Sequence, residues 1–132
     1  MTRRSLITLL MTLLLSLLLI TADVWWRQKV QFDAGEAGYR TGTFMVALTG
    51  YESAIRMYLP FSSRVELSAQ RIWSMAEAAE QRGDLDQALA AYRSLRSAFY
   101  GTRWLLQPGA TWINRCDRKI AQLAPLRKGN QP

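Results

Sequence analysis

The sequence has no histidine and a single cysteine, Cys116. Without histidine there is no imidazole to ligate a metal or to shuttle protons near neutrality, and no Ser-His-Asp or Cys-His pair. One cysteine excludes an internal disulfide. The 8 glycines and 4 prolines are too few for a disordered or collagenous chain. Gly35, Gly38 and Gly42 fall at helical spacing, so they make no phosphate-binding loop. Period-two alternation is also missing, which removes the signal for a sheet.

Charge is missing from one stretch altogether. Ser5–Ala22 reads SLITLLMTLLLSLLLITA, while all 10 acidic and 15 of the 17 basic residues lie from Asp23 onward in this chain of 132 residues. Eighteen uncharged, mostly apolar residues meet the minimum for a transmembrane helix, and Val24, Trp25 and Trp26 extend it into an aromatic belt. The expected layout is a basic N-tail over 1–4, a membrane helix over 5–26, a helical domain over 27–124 and a flexible tail over 125–132. A cleaved signal peptide is the rival. Ile20-Thr21-Ala22 is a poor cleavage site, however, and the apolar run is longer than a normal signal core. Arg3 and Arg4 before the span nearly balance Arg27, Lys29 and Arg40 after it. A very short basic N-tail favours a cytoplasmic N-terminus. The expectation is a single-pass inner (cytoplasmic) membrane protein with its domain on the periplasmic side. Thr8, Thr12 and Ser16 form a stripe of small residues. Either it packs against a partner helix, or each hydroxyl bonds its own preceding turn and faces lipid.

The rest reads as helices. Phe44, Ala47, Leu48, Tyr51, Ile55, Tyr58 and Leu59 keep helical spacing up to Pro60. Ser63-Arg-Val-Glu66 offers a capping box for a helix with Val65, Ala69, Ile72, Ala76 and Ala79 inside, closed by Arg82-Gly83. Asp84 caps the next, whose inner face is Leu85, Ala88, Leu89, Tyr92, Leu95 and Phe99. After Gln107-Pro108-Gly109 a last helix aligns Trp112, Ile113, Cys116, Ile120 and Leu123. Cys116 is thereby expected to be a small buried hydrophobe. The fold class is all-α: one transmembrane helix, then antiparallel hairpins.

The hairpins repeat. Gly42, Phe44, Ala47-Leu48 and Tyr51 coincide with Gly83, Leu85, Ala88-Leu89 and Tyr92 at a shift of 41. Glycine turns the chain, alanine admits a close helix, and tyrosine fills the space above it. This pattern resembles the tetratricopeptide repeat family. Met75, Ala76, Ala79, Gly83, Ala88 and Tyr92 stand at its Leu, Gly, Tyr, Gly, Ala and aromatic positions. Gly35, Gly42, Ala47, Tyr51 and Ala54 do so in the first unit, with Pro60 one place late. Tyr100 stands where the second unit's closing proline belongs, and the period exceeds the family's usual ~34. The resemblance covers residues 28–124 and implies about two repeats, a capping helix and protein binding on the face of each first helix. In that register the first repeat helix continues the membrane helix as one rod of about 55 Å.

Carried onto this chain, the family's groove positions are Lys29, Phe32, Glu36 and Tyr39, then Gln70, Trp73, Glu77 and Glu80. They lack the basic clamp used for peptide carboxylates. Such aromatic residues with acidic edges suit a partner segment with apolar and basic side chains. Trp73 reads equally well as core. Glu77 and Glu80 read as a solvated face rather than a cation site. A late basic cluster (Arg93, Arg96, Arg103, Arg115, Arg118 and Lys119, with Arg127 and Lys128) offers a surface for anionic lipid or an acidic partner. An outward-facing domain makes nucleic acid an unsuitable target. No catalytic residue, cofactor or small-molecule substrate is implied. The expected function is a non-enzymatic accessory subunit, anchored beside a larger membrane protein and holding a protein partner. The alternative is a free-standing envelope adaptor that binds a polyanion or anionic lipid through the late basic cluster.

Overall fold

The computed structural model describes residues 2–130. Among them are five helices and no strand: α1 (Arg3–Arg40), α2 (Phe44–Arg56), α3 (Ser63–Gln81), α4 (Leu85–Gly101) and α5 (Ala110–Gly129). The chain is all-α, as its periodicity requires.

The helix α1 is unbroken over 38 residues, about 57 Å at 1.5 Å per residue. Thr2 to Asp23 is exposed throughout. This half is one helical stretch long and apolar enough to cross a membrane. The other half enters the core, burying Gln28, Gly35 and Gly38. The α1–α2 contact is made by bare backbone. A β-carbon on Gly50 would stand 2.4 Å from the Gly35 nitrogen and 2.6 Å from its Cα. One on Gly38 would stand 2.6 Å from the Ala47 nitrogen. The two glycines that weaken α1 as an isolated helix are therefore what lets α2 dock on it.

Gly42 (φ 72°) and Gly83 (φ 75°) close α1 and α3 in the left-handed region, where side chains with a Cβ clash. Their turns are the same Schellman motif. Thr43 N–H donates to the Gly38 carbonyl at 2.9 Å and Gly42 N–H to Tyr39 at 3.3 Å. Asp84 N–H donates to Ala79 at 2.9 Å and Gly83 N–H to Glu80 at 3.0 Å. Asp84 then caps α4, its Oδ1 accepting from Gln87 N–H at 3.0 Å. The shift of 41 seen in the sequence is thus a repeat of backbone hydrogen bonds.

Tyr51, Ile55, Ile72, Leu89, Tyr92, Leu95 and Phe99 fill the core, and α5 seals it with Trp112, Ile113, Cys116 and Leu123. Burial pushes the Cys116 thiol up to about 12, with the Asp117 charge adding to it. It is a packing group, not a nucleophile.

Three boundaries differ from the sequence reading. The helix α2 ends at Arg56, so Tyr58 and Leu59 lie in the connection. The Gln28 amide has taken the last carbonyls, donating to Ala54 at 3.2 Å and Met57 at 2.9 Å. The α3 cap is Ser62, not Ser63; its Oγ accepts from Arg64 N–H and donates to Gln28 Oε1. That places Glu66 too late for the capping box, and it accepts instead from Trp112 Nε1 at 3.1 Å. Finally, α5 runs through Pro125 to Gly129, past the expected end at 124, with Arg127 paired to Asp86. Gln131 and Pro132, the end of the expected tail, lie outside the described residues.

Candidate functional site

The first helices of the two hairpins, α1 and α3, share one side of the stack with α5. The side chains that link them form a repeated device. In the first unit, Tyr51 Oη donates to Glu36 Oε1 at 2.7 Å, and Arg71 on α3 donates to the same oxygen at 2.8 Å. In the second, Tyr92 Oη donates to Glu80 Oε2 at 3.0 Å, and Lys119 on α5 donates to both carboxylate oxygens at 3.0 and 2.8 Å. Each acid thus accepts from a tyrosine of its own hairpin and a cation of the next first helix. The aromatic neighbours repeat too. Phe32 meets Tyr51 at 5.8 Å between ring centroids, and Trp73 meets Tyr92 at 4.9 Å.

Burial alone raises the Glu36 carboxyl, but hydrogen bonds from Tyr51 and Arg71 and the Arg71 and Arg40 charges outweigh it and leave Glu36 below its usual range. The Lys119 hydrogen bond, against burial and aided by Tyr92 and the Lys119 charge, lowers Glu80 likewise. Burial, then the adjacent carboxylate, raises both Tyr51 and Tyr92. A lowered acid stabilises the fold above its unfolded value, about 4.3 for Glu, and loses that contribution as pH falls through the folded value. The raised tyrosines contribute below about pH 10 and cease to as pH rises through their folded values. The unfolding midpoint is therefore expected to drop below about pH 4, with a shallower drop in a Glu36→Gln/Glu80→Gln variant. Chemical denaturation from pH 2 to pH 7 measures this; parallel curves for the two proteins contradict it.

The groove set divides accordingly. Glu36 and Glu80 are spent on internal ion pairs. Glu77 is exposed and makes no hydrogen bond or ion pair among the described residues. Gln70 donates to Glu66 at 3.2 Å, and Lys29 pairs with Asp33 at 2.6 Å on its own helix. Tyr39 is exposed at the edge under the Arg71 guanidinium, 5.3 Å from the ring centroid. Trp73 is half-buried and serves both readings. Its ring packs on the Tyr92 core, and Arg115 stacks over it at 4.1 Å and over Trp112 at 4.5 Å. Its indole pairs with that of Trp112 at 5.9 Å. An open cleft of about 420 Å³ lies where the hairpin turns meet, between Tyr39, Phe44, Met75 and Arg82.

The basic cluster is dispersed. Arg115 and Lys119 face the groove side, while Arg96 pairs with Asp117 on the α4–α5 seam and covers Tyr100. Arg93, Arg103 and Arg118 are exposed. In the apolar half of α1, Thr8 Oγ1 donates to the Arg4 and Ser5 carbonyls, each at 3.0 Å, and Thr12 Oγ1 to Thr8 at 2.8 Å. Their hydroxyls are satisfied within α1. Ser16 is exposed and makes no side-chain hydrogen bond among the described residues.

Sequence reasoning missed Arg71, Gln28 and Gly50. Arg71 adjoins Gln70 in the groove set, but only the fold shows that it crosses to Glu36. No family model matches the chain, and no curated protein and no solved structure matches it.

Proposed function

We propose that this protein is a non-enzymatic, membrane-anchored accessory subunit. The exposed apolar half of α1 spans the bilayer, and the hairpin stack holds a protein partner against the side made by α1, α3 and α5. The continuity of α1 carries this reading. One helix supplies both the apolar stretch and the first wall of the domain, so no linker separates them. A domain held in that way presents a surface at a set height and orientation, as a positioning subunit requires.

The partner side is aromatic and ionically balanced. Tyr39, Trp73 and Glu77 are its reachable members, and a segment with apolar side chains and at least one cation suits them. The Thr8, Thr12 and Ser16 stripe allows close approach of a second membrane helix. The tetratricopeptide-like character rests on the twin Schellman turns and the twin tyrosine–carboxylate–cation links. The N-terminus is placed in the cytoplasm of the inner membrane on the strength of its short basic tail.

Photo-crosslinkers placed singly at Tyr39, Glu77 and Asp86 of the membrane-embedded full chain test this. Adducts with one protein from 39 and 77, and none from 86, are expected, with recovery of the assembly in mild detergent weakened by Thr12→Leu. A chain that extracts alone and gives no adduct at either groove position overturns it.

A further inference from the structure

The helices alternate in direction, so the connections fall into two groups. Gly42–Thr43 and Arg82–Asp84 lie at one end, where Arg127 of α5 reaches Asp86. The α2–α3 connection (57–62) and the α4–α5 connection (102–109) lie together at the other. There Tyr58 and Pro60 share an open hollow with Trp104, Leu105 and Leu106.

Hydrogen bonds fix the height of this second end along α1. Gln28 donates to Met57 and accepts from Ser62. Arg64 lies 4.6 Å from the centroid of the Trp25 ring. Gln28 follows Trp26 by two residues, about 3 Å of helix. The two connections therefore sit level with the aromatic end of the apolar stretch.

At that level lie the most exposed large apolar side chains among the described residues. Phe61 is 100% exposed, Trp104 85%, Leu105 80% and Leu106 82%. None of these completes the core, and in water the cluster is costly. Tryptophan and large aliphatic side chains beside arginine suit the headgroup zone of a bilayer, which extends roughly 5–7 Å beyond the hydrocarbon on each side. Arg103 adjoins Trp104 and is exposed. Of the acids nearby, Asp23 is paired with Arg27, Glu52 with Arg56, and Glu66 accepts from Trp112, which leaves Arg64 and Arg103 available to lipid phosphates.

We propose that these two connections are a second membrane contact, resting on the reading of α1 as a bilayer span. Phe61, Trp104, Leu105 and Leu106 enter the headgroup zone of the leaflet from which α1 emerges, and Arg64 and Arg103 meet its phosphates. The domain is then held at two points and lies close to the membrane instead of standing clear of it.

The test uses the full chain with Cys116→Ala in nanodiscs containing phosphatidylglycerol. One nitroxide at a time replaces Leu14, Phe61, Leu105, Leu106 or Gln81, and collision with oxygen is compared with collision with a water-soluble nickel chelate. An oxygen-to-nickel ratio several-fold higher at 61 and 105 than at 81, and lower than that at 14, is the expected result. The label at 106 repeats the measurement where the 105 variant fails to fold by circular dichroism. A lipid-exposed 14 with water-exposed 61 and 105 overturns the second contact and leaves the span intact. A water-exposed 14 removes both. Labels at 61 and 105 shielded from both reagents mean that protein covers the site, which also overturns the assignment.

Discussion

Replacing Gly50 with leucine is expected to cost about 3 kcal/mol or more and to separate α2 from α1. The β-carbon alone would stand 2.4 Å from the Gly35 nitrogen, 2.6 Å from its Cα and 2.8 Å from the Gln31 carbonyl oxygen. All three are backbone atoms of one helix, so no rotamer change relieves the clash; the helices must part. Parting them uncovers Tyr51, which is buried against Gly35. Gly42→Ala provides the contrast. No atom lies within 4 Å of its would-be β-carbon, so only the left-handed backbone is strained, at about 1–2 kcal/mol. Thermal unfolding by circular dichroism in mild detergent ranks the two. A Gly50→Leu protein that melts with or above Gly42→Ala contradicts the backbone contact.

Gln28→Leu is the second large effect, expected at about 2–3 kcal/mol. Gln28 is fully buried and joins three elements: from α1 it satisfies the Ala54 and Met57 carbonyls at the end of α2 and receives the Ser62 hydroxyl before α3. Leucine fills similar space but leaves the Ala54 and Met57 carbonyls without this donor and the Ser62 hydroxyl without its acceptor. Ser62→Ala removes one hydroxyl and a weak cap, and about 1 kcal/mol is expected. Amide hydrogen exchange adds a local readout. In Gln28→Leu the last turn of α2 and the first of α3 lose protection, while α4 and α5 keep theirs. Uniform loss, or none, contradicts the clamp.

Gln28 and Gly50 also show where sequence reading ends. The turns at Gly42 and Gly83, the Asp84 cap and the paired Tyr51 and Tyr92 were legible because each is a local choice repeated at one spacing. Core positions on α3, α4 and α5 followed from helical period alone. Gln28 carries no such signal: an amide in a polar stretch just past an apolar run looks like solvent-facing surface until Ala54 and Ser62 are brought to it. Gly50 aligns with Ala91, and only the approach of α1 distinguishes glycine from alanine there. The acidic edge expected of the groove depended on a similar unknown. Glu36 and Glu80 were identifiable as facing that side, but Arg71 and Lys119, which neutralise them, come from the next helix in the stack. The basic cluster looked continuous because its members are close in sequence, yet α4 and α5 turn them to different sides.

The most direct measurement concerns α1. Nitroxides at Leu19 and Ala37, in the full chain with Cys116→Ala reconstituted in a bilayer, bracket the passage from the apolar stretch to the hairpin. A continuous helix places the two positions about 27 Å apart, and double electron–electron resonance is expected to give one narrow distribution near that value. A broad or shorter distribution means a hinge between anchor and domain. Loss of the Leu19 label from the mature chain means that the apolar segment is removed. Either result contradicts a domain held at the membrane by one unbroken helix.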